Sequence, residues 1–228
     1  MPAEEANMVT TSLIFAGGLA PNDATLKAAR EIQNVNLVIA ADSGLHTATK
    51  LGLTVDVVIG DMDSVDAKAL TEAKSRGAKI VRHDADKNFT DLHAALLYAA
   101  EHGAQKIIVI TAGGGRLDHQ FGVIAAMFDP QLGQTQVEAL WDNSEIFALQ
   151  GPTSCEFSAE VEDIVGLQAF GAVATGISTT GLQWKLSDES LLSHETRGVS
   201  NQATQTRVAI SVLTGQLLVT HQKKEKTK

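Results

Sequence analysis

Residues 56–64 read Asp-Val-Val-Ile-Gly-Asp-Met-Asp-Ser, an apolar run that stops at two carboxylates, Asp61 and Asp63. Val57, Val58 and Ile59 have the character of a buried strand, Gly60 of its sharp exit, and the two acids the spacing to face one point. Acids held this close repel each other. They persist most readily around a cation, and Mg2+, which takes a few carboxylates together with phosphate oxygens, suits them. The same stretch also reads as two solvated loop acids capping the helix that follows. The choice rests on what else the chain brings to the same place.

Other residues able to do chemistry lie in short clusters. Asp42 follows an apolar run in Ala-Asp-Ser-Gly; Asp84 and Asp86 precede Lys87, Thr90 and Asp91. A run of glycines, Gly113, Gly114 and Gly115, leads into Arg116, Asp118 and His119. Such a turn can bring backbone N–H groups to a phosphate, with Arg116 as a bidentate partner and Lys87 as a second cation; its other reading is a flexible turn before a helix. Thr90 and Asp91 open a helix, so capping and dipole pairing accompany any metal role. The chain has neither a Gly-Lys-Ser/Thr loop nor G-x-G-x-x-G, which removes the P-loop and the dinucleotide fingerprint. Its histidines show no metal-ligand spacing, and Cys155 has no context of a nucleophile.

The elements that must position these groups alternate. Strands are predicted at residues 11–16, 35–41, 55–59, 78–81, 106–110 and 136–141. Helices are predicted after Asn22 as N-cap, over 45–51, from Ser64 to Arg76, from Thr90 to Gly103, and through Ile124 to Phe128. Alternation of this kind with continuous apolar strands predicts an α/β domain: a mainly parallel sheet with helices on both faces. In such a sheet every loop leaving a strand's carboxyl end lies along one edge, where ligands bind. Asp42, Asp61, Asp63, Asp84, Asp86 and the 116–118 segment all follow a strand's carboxyl end, and Asp91 sits one turn further on. That coincidence favours a metal and phosphate site over scattered acids.

After residue 143 the texture changes to short apolar runs separated by Gly, Ser and Thr, which predicts an all-β sandwich or barrel. Gly181-Leu182-Gln183-Trp184 and Ser200-Asn201 are its site-like stretches. Trp184 is either core or a face on which a flat cationic heterocycle stacks. The expected division is residues 1–142, 143–222 and a disordered basic tail at 223–228.

The 228 residues carry 18 basic and 27 acidic side chains, a formal charge of −9, poorly suited to gripping nucleic acid or an anionic membrane. One cysteine excludes an internal disulfide framework. The N-terminal residues lack a basic segment followed by an apolar core, and no apolar run is long enough to span a bilayer. A soluble, cytoplasmic protein is expected.

Taken in order, Ala41-Asp42-Ser43-Gly44, residues 59–64, Lys87-Asn88-Phe89-Thr90-Asp91, residues 114–119, Gly181-Leu182-Gln183-Trp184-Lys185-Leu186 and Val199-Ser200-Asn201 resemble the thiamine pyrophosphokinase (thiamine diphosphokinase) family. Met62 stands where a bulkier aromatic is common. The resemblance implies an α/β domain binding ATP and Mg2+, a β-sandwich domain that helps hold thiamine, and a homodimer with its active site between subunits. It implies transfer of a pyrophosphoryl group from ATP to the hydroxyethyl oxygen of thiamine, leaving AMP. By position, Asp61, Asp63 and Asp91 become the metal and catalytic carboxylates, with Asp42 beside them. Lys87, Arg116, Gly114 and Gly115 become phosphate contacts supported by Thr90 and Asp118, and Trp184, Ser200 and Asn201 the thiamine-facing set. Two rival readings are a related kinase acting on another alcohol and a nucleotide- or thiamine-binding regulator without turnover.

Overall fold

The computed structural model describes residues 9–84 and 86–224, and the chain divides into two units, Met1–Gln136 and Val137–Lys228. The second unit therefore begins at Val137, ahead of the expected start at residue 143.

In the first unit the strands are β1 (Thr11–Phe15), β2 (Val35–Ala41), β3 (Val57–Gly60), β4 (Lys79–Arg82) and β5 (Lys106–Thr111). They lie in the order β4-β3-β2-β1-β5, every neighbouring pair parallel. β1 and β3 are buried along their whole length, and Leu13, Ile14, Phe15, Ile39, Val58, Ile59 and Ile107 to Ile110 form the centre of the core. This is why these strands read as unbroken apolar runs rather than alternating ones. The helices are α1 (Asp23–Glu31), α2 (Gly44–Lys50), α3 (Ala67–Ser75), α4 (Asp91–Glu101) and α5 (Leu117–Ala126).

The first three crossovers step from β1 toward β4, and the fourth steps back over β1 to β5. Right-handed crossovers therefore place α1 to α3 on one face and α4 on the other, with a switch point at β1 and β5. Asn22 caps α1 through Thr25 N (2.9 Å) and Thr90 caps α4 through His93 N (3.2 Å), as their positions predict. The third helix was expected from Ser64, but it starts at Ala67. Asp66 is its cap, accepting from Lys68 N at 2.8 Å, because Ser64 is committed to a hydrogen bond with Asp42.

The second unit is antiparallel throughout. Its strands are β6 (Gln136–Trp141), β7 (Ser144–Gln150), β8 (Thr153–Ser158), β9 (Ile164–Thr180), β10 (Glu189–Leu191), β11 (Asn201–Gln202), β12 (Arg207–Val212) and β13 (Thr214–Gln222). They run β6-β7-β13-β9-β12-β8, with β10 and β11 attached to β9. What the sequence presents as two runs, 165–170 and 172–177, is one 17-residue strand. The first part of β9 pairs with β13 and its end with β12, so one strand serves both layers of a sandwich. Phe147 stacks on Phe157 at 5.1 Å between centroids, within a core built from Val165, Leu167, Ile177, Val208, Ile210, Leu217 and Val219. Burial pushes the Cys155 thiol up to about 12, which leaves it inert.

The last strand is tied down by a buried ion network. His221, with no exposed side-chain surface, places Nε2 2.9 Å from Asp163 Oδ2 and Nδ1 3.1 Å from Glu145 Oε2, while Phe157 stacks on its ring at 4.7 Å. Lys224 continues it, donating its N–H to Asp163 Oδ1 at 2.8 Å and its ammonium to Glu162 at 2.6 Å. The tail expected to be disordered from residue 223 is thus anchored at Lys224, and residues 225–228 lie outside the described residues. No helix among the described residues is long and apolar enough to cross a membrane.

Burial opposes charging of His221, but Glu145 and Asp163 outweigh it and raise its pKa above the ordinary value. Its contribution is therefore complete below about pH 6.5 and fades as pH rises through the raised value. Glu145, held down chiefly by His221, and Asp163, held down by Lys224 N–H and His221 against its burial, lose theirs only as pH falls below the ordinary carboxylate range. Denaturant unfolding across pH 6 to 9 should show stability falling with pH, by at most about 1.4 kcal/mol per unit. His221→Gln should flatten that slope and lower stability by roughly 3 kcal/mol, because two carboxylates lose their cation; an unchanged slope would show that His221 folds neutral.

Candidate functional site

Where β2 and β3 end side by side, the backbone leaves ordinary strand geometry and turns acids inward. Asp42 has φ +50° and Met62 φ +69°, and Asp42 N–H donates to Ile59 O at 2.8 Å, so the place of Asp42 is set by the neighbouring strand. Between them stands Gly60 at φ +154°. A Cβ there would lie 3.3 Å from both Asp42 Cβ and Asp91 Cγ, which shows how closely these two acids approach the same backbone point.

Asp42, Asp61 and Asp63 each offer a carboxylate oxygen within 4.8 Å of the others. Asp61 Oδ1 accepts from Asp63 N at 3.0 Å, and one oxygen of Asp42 accepts from Ser64 Oγ. The other, Asp42 Oδ1, is buried and makes no hydrogen bond. Buried acceptors almost always have a donor, so this oxygen is an acceptor awaiting a partner. The Asp63 N–H holds Asp61 below its ordinary value, whereas Asp61 beside it, with Asp42 and Asp91 behind, pushes Asp63 up. A set of hard oxygen donors with mutual repulsion and one unpartnered oxygen fits a divalent cation such as Mg2+.

Asp91 adjoins this set without being one of its converging oxygens. Lys87 Nζ lies 2.9 Å from Asp91 Oδ1, a contact that is ionic rather than a well-directed hydrogen bond, and Lys87 also donates to Asp84 O at 3.3 Å. The sequence grouped Asp61, Asp63 and Asp91; the converging oxygens are those of Asp42, Asp61 and Asp63, while Asp91 pairs with Lys87 from the loop before α4 and still bears on Asp63 through its charge. Asp84 and Asp86 are exposed and stand outside the cluster. Two supporting groups went unassigned on sequence grounds. Ser64 holds Asp42, and Arg82, at the carboxyl end of β4, donates to Asp61 O at 3.3 Å. Arg82 could have been found by the same strand-end rule that picked out the acids.

After β5 the chain takes three successive left-handed glycines, Gly113, Gly114 and Gly115, with Gly113 N donating to Thr111 Oγ1 at 3.2 Å. Only glycine adopts three such conformations in a row without strain. Gly114 lies against Leu19 of the glycine-containing loop after β1, at 3.3 Å from a Cβ position, so both loops of the switch point meet. Arg116 is exposed and forked on Asp118 (Nε to Oδ1 3.1 Å, Nη2 to Oδ2 2.6 Å), which raises the arginine's pKa and lowers the acid's.

Trp184, Ser200 and Asn201 come together in the second unit. They line a cavity of about 580 Å³ with Leu167, Arg197 and Val199. Trp184 is 57% exposed and so is not the core residue that a tryptophan in a β domain most often is. Asn201, 4% exposed, is held beside it by hydrogen bonds to the Trp184 backbone.

A parallel α/β unit with converging carboxylates at the carboxyl ends of its strands, and an antiparallel sandwich unit with its own cavity, is the class that the fold and geometry define. Residues 28–139 match the thiamin pyrophosphokinase catalytic domain, and residues 154–217 match the thiamin pyrophosphokinase vitamin B1 binding domain. The chain belongs to the thiamin pyrophosphokinase family. It is 32% identical over 145 residues to thiamine pyrophosphokinase 1 of Oryza sativa subsp. japonica, covering 60% of this chain and 54% of that protein. It is 26% identical over 166 residues to thiamine pyrophosphokinase 1 of Arabidopsis thaliana, covering 68% and 61%. The chain thus spans little more than half the length of the curated relatives it matches. In fold it is similar to thiamine pyrophosphokinase from Bacillus subtilis, with a TM-score of 0.78 at 20% identity over 94% of this chain and 99% of that one. It is also similar to the enzyme from Candida albicans, with a TM-score of 0.74 at 16% identity over 95% and 90%.

Gly60→Ala should bring both backbone strain and contact with two acids, and lower stability by about 1–3 kcal/mol in denaturant titrations. Gly52→Ala, at φ +73° with open space around it, supplies a control for strain alone. Equal losses at the two positions would show that the close approach of Asp42 and Asp91 is not what requires Gly60.

Proposed function

We propose that this chain is a thiamine pyrophosphokinase, transferring the pyrophosphoryl group of ATP to the hydroxyethyl oxygen of thiamine to give thiamine diphosphate and AMP. The observation that carries the reading is the convergence of Asp42, Asp61 and Asp63, within 4.8 Å, inside the stretch that matches the family's catalytic domain.

In this reading Asp61 and Asp63 hold Mg2+ with Asp42 Oδ1, and Asp91 completes the acidic site. The bound ion supplies Lewis-acid neutralisation of phosphate charge. Lys87, already beside Asp91, is shared between that carboxylate and a phosphate oxygen. The exposed backbone of Gly114 and Gly115 offers N–H groups to the nucleotide phosphates. Arg116 reaches a phosphate by exchanging Asp118, and Asp118 otherwise keeps its planar fork oriented. Thr90 fixes the start of α4 and with it Asp91. Displacement at the β-phosphorus needs the alcohol held in line, and one carboxylate, Asp63 or Asp91, takes its proton.

Trp184 stacks on the flat cationic heterocycle of thiamine, with Ser200 and Asn201 beside it. The match of residues 154–217 to a vitamin B1 binding domain supports this use of the cavity. We further take the working unit to be a homodimer. The family resemblance supports it, as do Leu117 and Phe121, exposed 65% and 60% one turn apart on α5. The single cysteine accords with a cytoplasmic location.

Purified protein given ATP, Mg2+ and thiamine should produce AMP and thiamine diphosphate in equal amounts; release of ADP, or no turnover, would overturn the reading. Asp63→Asn should leave nucleotide binding nearly intact and cut kcat by about a hundredfold or more, the scale of losing one charge-handling group at the reacting centre. Trp184→Ala should raise KM for thiamine by about tenfold and leave KM for ATP in place, as expected for the loss of roughly 1.4 kcal/mol of stacking.

A further inference from the structure

Asn201 occupies a special point in the second unit's hydrogen bonding. Its backbone belongs to β11 and pairs with Val165 of β9. On the other side, Leu182 bridges Ala203 and Gln183 N donates to Gln202 O at 2.9 Å, an antiparallel register that sets Trp184 opposite Asn201. In that register Trp184 and Asn201 form a non-hydrogen-bonded pair, and the Asn201 main chain, paired with Val165 of β9, offers the Trp184 peptide no bond. The side chain supplies the bonds instead: Oδ1 accepts from Trp184 N at 3.1 Å and Nδ2 donates to Trp184 O at 2.8 Å. Oδ1 also accepts from Gln202 N at 2.9 Å, which uses both of its lone pairs. One N–H of the amide is all that remains.

The surrounding backbone is shaped to hold this arrangement. Ser200 turns at φ +60° just before Asn201. Gly181 stands at φ +80°, where a Cβ would lie 2.3 Å from Arg207 O, so the chain enters the Trp184 segment by a path closed to other residues. Gly198, whose N-terminal side of this turn packs on β9, would place a Cβ 2.0 Å from Leu167 O. The Trp184 backbone is therefore pinned while its ring stays 57% exposed over the cavity.

We infer that Asn201 is a positioning residue, whose side-chain amide completes the sheet and so sets where the Trp184 ring lies, rather than a group that grips the substrate itself. The inference rests on the reading of this cavity as the thiamine site for its kinetic consequence, but not for its structural one. Any ligand that stacks on Trp184 feels Asn201 through the tryptophan.

Amide hydrogen exchange on the purified protein without ligand tests the structural half. Asn201→Ala should speed exchange of the Trp184 N–H by about tenfold or more, the scale of one net hydrogen bond, with the Gln183 N–H within about threefold of its original rate. Unchanged Trp184 protection would overturn the inference. The kinetic half is a double-mutant cycle with ATP, Mg2+ and thiamine. Asn201→Ala should raise KM for thiamine by about tenfold and change kcat by less than about twofold, and in a Trp184→Ala background it should add less than about twofold. Independent, multiplying effects would show that Asn201 contacts thiamine directly, and would overturn it. Should Asn201→Ala fail to fold, Asn201→Asp keeps the acceptor for Trp184 N. Retained protection with KM within about threefold supports positioning, whereas retained protection with KM raised as far as in Trp184→Ala overturns it. If the unaltered protein fails to turn over thiamine, the proposed function falls, and the exchange result still decides the role of Asn201.

Discussion

Negative charge gathered against its own repulsion is the constraint around which the first unit is arranged. Asp42, Asp61, Asp63 and Asp91 would move apart on flexible loops. Here the apolar burial of β2 and β3 holds the strand ends fixed, and the turns at Asp42 and Met62 set the acids there side by side. The response is visible in the acids themselves: Asp61 is eased by a backbone N–H, while Asp63 is pushed up by the charges around it. Lys87 offsets part of the repulsion at Asp91 and leaves the other three acids to one another. In the proposed reading a divalent ion would relieve what remains.

Topology explains why the groups meet. Parallel strands joined by right-handed crossovers deliver every βα loop to one edge, so residues far apart in the chain converge with no special contacts among the helices. The reversal of direction between β1 and β5 opens the crevice that the two glycine loops border. Positive charge comes from the next loops along the same edge: Arg82 at the end of β4, Lys87 beyond it and Arg116 beyond β5. An edge with acids at β2 and β3 and cations on either side suits a ligand that is anionic and carried with a metal ion.

The parts of this arrangement that the sequence discloses are those governed by local rules. Continuous apolar runs gave the buried parallel strands, and Asn22 and Thr90 announced helix starts by residue type alone. The strand-end rule then placed Asp42, Asp61 and Asp63 together. What stayed hidden depends on competition between partners. Nothing in the spacing says that Lys87 takes Asp91, or that Ser64 serves Asp42 instead of capping a helix. In the second unit, β9 was divided at Gly171 because glycine reads as a turn signal, yet in a long strand shared by two layers it marks a bend. His221, which the sequence marks only by the lack of metal-ligand spacing, is held by two carboxylates that its own neighbourhood in sequence does not contain.

Asn201 and His221 illustrate one device used in two ways. Each is a side chain that finishes what the backbone of an antiparallel sandwich leaves incomplete. His221 closes the end of β13 onto the turn before β9 with charge, and the arrangement is buried so that pH alone can weaken it. Asn201 bonds the Trp184 peptide with a neutral amide, whose donor and acceptor match a peptide's own and do not titrate. The difference follows from what each must hold. At the strand terminus the buried ion pair acts as a lock, since loss of either partner would leave an uncompensated buried charge. An exposed aromatic ring over a cavity has its backbone fixed here by a neutral amide, which matches both the N–H and the C=O of a peptide.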